Sequence, residues 1–153
     1  MKKMMLFFII ATFSIAVMGQ TGKKEEKKEK KVEVPTVVKT AFQKDYPAVK
    51  DVKWDAEDGN FEAEFKLNDI ENSANYDKAG IRLEVETAIK TDQLPKTALD
   101  YITKNYSTYK ITKAAKITNS KNVVTFEAEV KLGKKETDLV FDVAGRFVRE
   151  EKD

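Results

Sequence analysis

The chain has 153 residues, with 28 Lys plus Arg against 26 Asp plus Glu, and contains no His and no Cys. It therefore lacks the commonest general base and metal ligand at neutral pH, the thiolate nucleophile and any disulfide, so burial of apolar surface must stabilise the fold. The near balance of charge leaves no basic footprint for nucleic acid.

Residues 1–19 read as a cleaved signal peptide. Lys2 and Lys3 form a basic start, Met4 to Met18 an apolar run, and Val17 and Gly19 suit cleavage before Gln20. The run contains Thr12 and Ser14 and is shorter than the roughly 20 apolar residues of a spanning helix. No Cys follows it for lipid attachment, so contact with the membrane is expected only transiently, through this segment. Loss of Lys2 and Lys3 leaves 26 basic against 26 acidic residues.

Residues 20–33 read as a disordered Lys/Glu-rich tether. "TGKKEEKKEKK" has no apolar residue with which to offset its ordering entropy. Ordered sequence begins at "VPTVVKTAFQKDYP", where Val38, Ala41 and Phe42 recur at helical spacing behind Pro35, a residue suited to a first helical turn. Val52, Trp54 and Ala56 then alternate with charged residues. After an Asp58–Gly59 turn, Phe61, Ala63, Phe65 and Leu67 do the same, the period of a strand with one wet face. Tyr76 closes a third run. In "YDKAG" Asp77 and Gly80 mark a tight turn, the Asp hydrogen-bonding backbone and the Gly taking positive φ, before a fourth strand through Ile81, Leu83 and Val85.

The second half repeats this order. "LPKTALDYITKNY" places Ala98, Ile102 and Tyr106 where Val38, Phe42 and Tyr46 stood, at a shift of 60. "FEAEVKL" at 126–132 repeats "FEAEFKL" at 61–67, at a shift of 65. A unit of one helix and four strands would bury only about 60 per cent of its surface and leave sheet edges open. The pattern predicts an α+β fold: two tandem helix-plus-four-strand repeats, residues 34–91 and 92–153, forming one antiparallel sheet of about eight strands with two helices packed on one face.

The secretory leader, the Pro-opened helix, "YP" before a Trp-bearing strand, "FEAEFKL", "YDKAG" and a second round opening at "LP" together resemble the PepSY-like, or β-lactamase-inhibitor-like, secreted proteins. The resemblance covers residues 34–151 and implies periplasmic or secreted placement, no enzymatic activity, and binding or restraint of another exported protein; no cofactor is expected. The second copy departs from the first in having Ala114 and Ala115 near the place of Trp54.

Candidate chemistry is sparse. Glu62 with Glu64, and Glu127 with Glu129, project in pairs from one strand face; the expectation is a solvated face balanced by Lys66, Arg82 and Lys131, with no metal bound. Ser73, Ser107 and Ser120 are expected in loops or turns, outside any nucleophile motif, and no Gly-rich phosphate cradle occurs. Trp54 shares a face with Val52 and Ala56 and is expected beneath a helix, with anchoring of a partner as the alternative. Val123, Val140 and Phe147 fall opposite the core set if the strand registers hold, as an apolar partner site, whereas a bulge after Gly145 would turn Phe147 inward. The reading is an exported protein-binding module with an unidentified exported partner, possible roles including inhibition of a hydrolase; the alternative is a small-ligand or ion-sensing envelope protein using the same surface.

Overall fold

Two prolines start the two helices. In the computed structural model, which describes residues 32–151, α1 (Thr36–Asp45) follows Pro35 and α2 (Lys96–Asn105) follows Pro95. No side chain caps either helix. Instead the proline carbonyls accept the first helical bonds, Pro35 O from the amides of Val38 (3.1 Å) and Lys39 (3.2 Å), and Pro95 O from those of Ala98 (2.9 Å) and Leu99 (3.1 Å). A proline has no amide hydrogen to leave unsatisfied there. The expected signal peptide, and all of the tether but its last two residues, lie outside the described residues.

Four strands follow each helix: β1 (Val52–Glu57), β2 (Asn60–Leu67), β3 (Ile70–Tyr76) and β4 (Arg82–Ala88) after α1, and β5 (Lys110–Asn119), β6 (Val124–Leu132), β7 (Lys135–Asp142) and β8 (Phe147–Glu151) after α2. A short 3-10 turn, Thr91–Gln93, leads into α2. All eight strands form one antiparallel sheet in chain order, so β4 pairs with β5 and β1 and β8 are its edges. The β4–β5 register runs from Glu84 opposite Asn119 to Ala88 opposite Ala115. The described residues form one compact unit.

Both helices lie on the same face of this sheet. Val38 and Phe42 of α1 pack on Ala63, Phe65, Ala74 and Tyr76; Ala98 and Ile102 of α2 pack on Ala114, Ala128, Val130, Leu139 and Phe141. Small residues, Ala63 and Ala74 under one helix and Ala114 and Ala128 under the other, let each helix approach the sheet while larger side chains fill the flanks. Trp54 belongs to this layer, as expected of its alternation with charged neighbours: half-buried, its ring meets Phe42 edge-on at 5.4 Å.

The Asp-x-x-Gly turns behave as their chemistry requires. Asp77 Oδ1 accepts from the amides of Ala79 (2.8 Å) and Ile81 (2.9 Å), and Asp142 Oδ1 from those of Ala144 and Arg146 (both 2.9 Å). Gly80 (φ +81°) and Gly145 (φ +78°) close the turns directly against α1 and the start of α2. A Cβ on Gly145 would stand 2.7 Å from Pro95 Cβ and 2.9 Å from the Ala98 amide nitrogen, whereas one on Gly59 (φ +79°) would meet nothing within 4 Å.

This contrast gives a test. Gly59→Ala is expected to cost about 1–2 kcal/mol, the penalty of left-handed backbone alone. Gly145→Ala adds an overpacking cost of about 1–3 kcal/mol. Urea unfolding followed by circular dichroism separates the two.

Candidate functional site

The sheet face that neither helix covers carries the unusual chemistry. Strand alternation sends Glu62 and Glu64 of β2, Ser73 of β3, Glu86 of β4, Ile117 of β5, Glu127 and Glu129 of β6, and Val140 of β7 to this side. One register row reads Glu64, Ser73, Glu86, Ile117, Thr125; the row beside it reads Ala88, Ala115, Glu127, Val140, Arg149. Ser73 is therefore a strand residue, 2 % exposed, and not the loop residue its type suggested.

Several residues here are buried although no helix lies on them, among them Glu62, Glu127 and Glu129. Burial pushes the Glu86 carboxyl up to about 8, with Glu62, Glu84 and Asp138 adding to the shift. Burial likewise pushes Glu127 up to about 10, reinforced by Glu86, Asp138 and Glu151 and opposed by Arg149. Glu127 Oε2 has no hydrogen-bond partner, an arrangement that costs roughly 1–3 kcal/mol for a buried polar atom.

Glu129 behaves oppositely. Burial raises its proton affinity, but hydrogen bonds from Thr112 and Lys113 (Nζ to Oε2, 2.9 Å) outweigh this and hold the carboxyl below its ordinary range. The expected balance of charge is thus corrected in both its members and its solvation. Glu64 pairs with Lys53 (3.1 Å) and Glu129 with Lys113, whereas Lys66, Arg82 and Lys131 pair with Glu71, Asp45 and Glu136. Sequence spacing placed these carboxylates on one face; it held no signal that three of them would be buried. Among the described residues, no three His, Cys, Asp or Glu side chains group closely enough to hold a metal ion.

A concavity lies on the helix side. A cleft of about 630 Å³ opens between the end of α1, the start of β4 and the β5–β6 turn, lined by Tyr46, Arg82, Thr118 and Ser120 among others. Asp45 anchors it, accepting from Tyr76 Oη (3.0 Å) and Arg82 Nη1 (3.2 Å). Burial, then the contact with Asp45, pushes the Tyr76 phenol upward.

The four residues singled out by sequence do not assemble into one surface. Val140 faces the helix-free side but is 1 % exposed beneath its neighbours. Val123 stands 53 % exposed beside the β5–β6 turn. Phe147 lies opposite Phe141 on the helix side, 37 % exposed and stacked on Tyr101 at 4.6 Å with ring planes 6° apart. The register shift opposite Val140 and Phe141 turns it there, the inward alternative that a bulge after Gly145 offers. Trp54 is in the helix-side core, outside both the helix-free face and the cleft.

The chain belongs to the family described as "Putative beta-lactamase-inhibitor-like, PepSY-like", which matches residues 59–149. No curated protein matches it. Among solved structures it is similar to a DUF2874 family protein from Bacteroides uniformis (19% identity, TM-score 0.70, covering 77% of this chain and 88% of that one). It is also similar to one of the "putative periplasmic proteins" of Bacteroides eggerthii (14% identity, TM-score 0.72, 79% and 90%). A BLIP-like protein from Bacteroides fragilis shares 21% identity at a TM-score of 0.63 (79% and 87%). At these identities the likeness is one of fold. Among the described residues no helix is long and apolar enough to cross a membrane.

The raised carboxyls make stability depend on pH. A group whose proton affinity is higher folded than unfolded stabilises the fold while protonated in both states, and that contribution is lost as pH rises from the unfolded value, 4.5, through the folded one. Between about pH 5 and pH 8, stability therefore declines as pH rises. The urea midpoint is expected to fall over this interval, and Glu127→Gln, which keeps a neutral side chain there, should flatten the decline by about half.

Proposed function

We propose that this chain is an exported, non-catalytic protein-binding module that docks another envelope or secreted protein on the helix-free sheet face, restraint of a hydrolase being one form of that activity. The observation that carries this reading is the face itself: a carboxylate-bearing surface of one continuous sheet, left uncovered by both helices. Family membership supports it through the inhibitor-like description, and the absence of His and Cys from the sequence removes the usual catalytic groups. On this reading the leader, residues 1–19, is cleaved on export, residues 20–33 form the tether, and residues 34–91 and 92–153 are fused repeats that together supply the docking sheet. Val140 contributes from beneath the face and Val123 from its rim. Phe147 and Trp54 act through the packing that holds the sheet in shape.

The cleft at the end of α1 favours a second reading, in which a small polar ligand binds beside Arg82 and Tyr46. Ligand binding there raises the melting temperature without any partner protein, whereas docking on the sheet does not involve the cleft.

Capture of the exported chain with its neighbours from envelope extract, followed by mass spectrometry, is expected to return one dominant protein. Thr125→Arg places a long cation on the helix-free face and is expected to weaken capture by about tenfold or more while shifting stability by less than about 1 kcal/mol. Lys104→Glu, on the exposed side of α2, should leave capture unchanged. Equal loss in both variants, or in neither, places the docking surface elsewhere.

A further inference from the structure

Glu127 is 6 % exposed on the helix-free face, and its Oε2 is a buried atom without a hydrogen-bond partner. The charges that bear on it come from Glu86 of β4, Asp138 of β7, and Arg149 and Glu151 of β8, with Glu129 two residues along its own strand, while Glu62, Glu84 and Lys113 bear on Glu86. Carboxyls outnumber cations in this set. The cations are also committed, Lys113 Nζ to Glu129 at 2.9 Å and Arg149 Nε to Glu151 at 2.6 Å. What Glu127 lacks is a donor, and what the face lacks is positive charge.

We infer that the helix-free face is a receptor site for one organic cation, an alkylammonium or guanidinium group, seated between Glu86 and Glu127. Such a group presents several N–H donors from one charge centre and so can engage more than one carboxyl at once. Burial and mutual repulsion keep both carboxyls protonated near neutral pH. An arriving cation reverses the balance: the carboxyl ionises, its proton passes to solvent, and the N–H of the cation supplies the missing hydrogen bond to Glu127. The inference deepens the protein-binding reading by naming the group a partner would present, and it rests on that reading only for the source of the cation. A free diamine would satisfy the same chemistry.

The test is calorimetric titration of the exported chain with putrescine and, separately, with a blocked Gly-Lys-Gly peptide, in buffers of differing ionisation enthalpy. One site per chain is expected, of about millimolar affinity or tighter. About one proton should be released per cation bound near neutral pH. Glu127→Gln should weaken binding about tenfold and remove that proton, with Glu86→Gln acting in the same direction. In the unsubstituted chain the ¹³C shift of the Glu127 carboxyl should move from the protonated to the ionised position as putrescine is added, a readout that no variant's folding can disturb. Proton-releasing binding of the peptide alone identifies a cation carried on a polypeptide, and that of putrescine alone a free amine; either sustains the site. No binding of either probe at about 50 mM, or binding whose proton release persists in Glu127→Gln, overturns it. Defined probes need no partner protein, so failure here leaves the capture experiment standing, and an empty capture leaves this site standing.

Discussion

The pairing of β4 with β5 is the constraint on which the molecule depends. Each helix covers the strands that follow it, yet each group of four strands ends in an edge whose amides and carbonyls need partners. Joining Glu84 through Ala88 to Ala115 through Asn119 satisfies one edge from each side and makes a single sheet. Continuity has a second effect: with both helices on one side, the other side becomes a single broad face that neither helix covers.

Burial on this face changes the chemistry of ordinary strand residues. On a wet face Glu86 and Glu127 would be solvated carboxylates. Here desolvation and neighbouring carboxyls raise their proton affinity, while Glu129, one pleat away from Glu127 on the same strand, is held ionised by Thr112 and Lys113. The difference lies in donors, since Glu129 has them and Glu127 does not. A buried carboxyl without a donor opposes stability.

Irregular steps in the strands decide which side chains reach which face. The shift at Ile111 and Lys113 puts Ile111 against α2 but sends Ile117 to the helix-free side, where it sits opposite Glu86. The shift opposite Val140 and Phe141 brings Phe147 over Tyr101 and parts it from Val140. One inserted residue reverses a strand's alternation from that point on, so a surface drawn from strict alternation across such a step mixes the two faces.

The sequence by itself determined the elements: helices opened by Pro35 and Pro95, strands alternating from Val52 onward, turns set by Asp77 with Gly80 and Asp142 with Gly145, and a core that takes in Trp54. These follow from forces between residues close in the chain, namely periodic burial, proline geometry and side-chain capture of nearby amides, and local order carries them in full. The tertiary structure alone decided which edges meet, where the strands bulge, and therefore which glutamates are buried and which lysines reach them. Each of those outcomes depends on contacts between residues distant in the chain, for which a single sequence records the participants but not the distances between them.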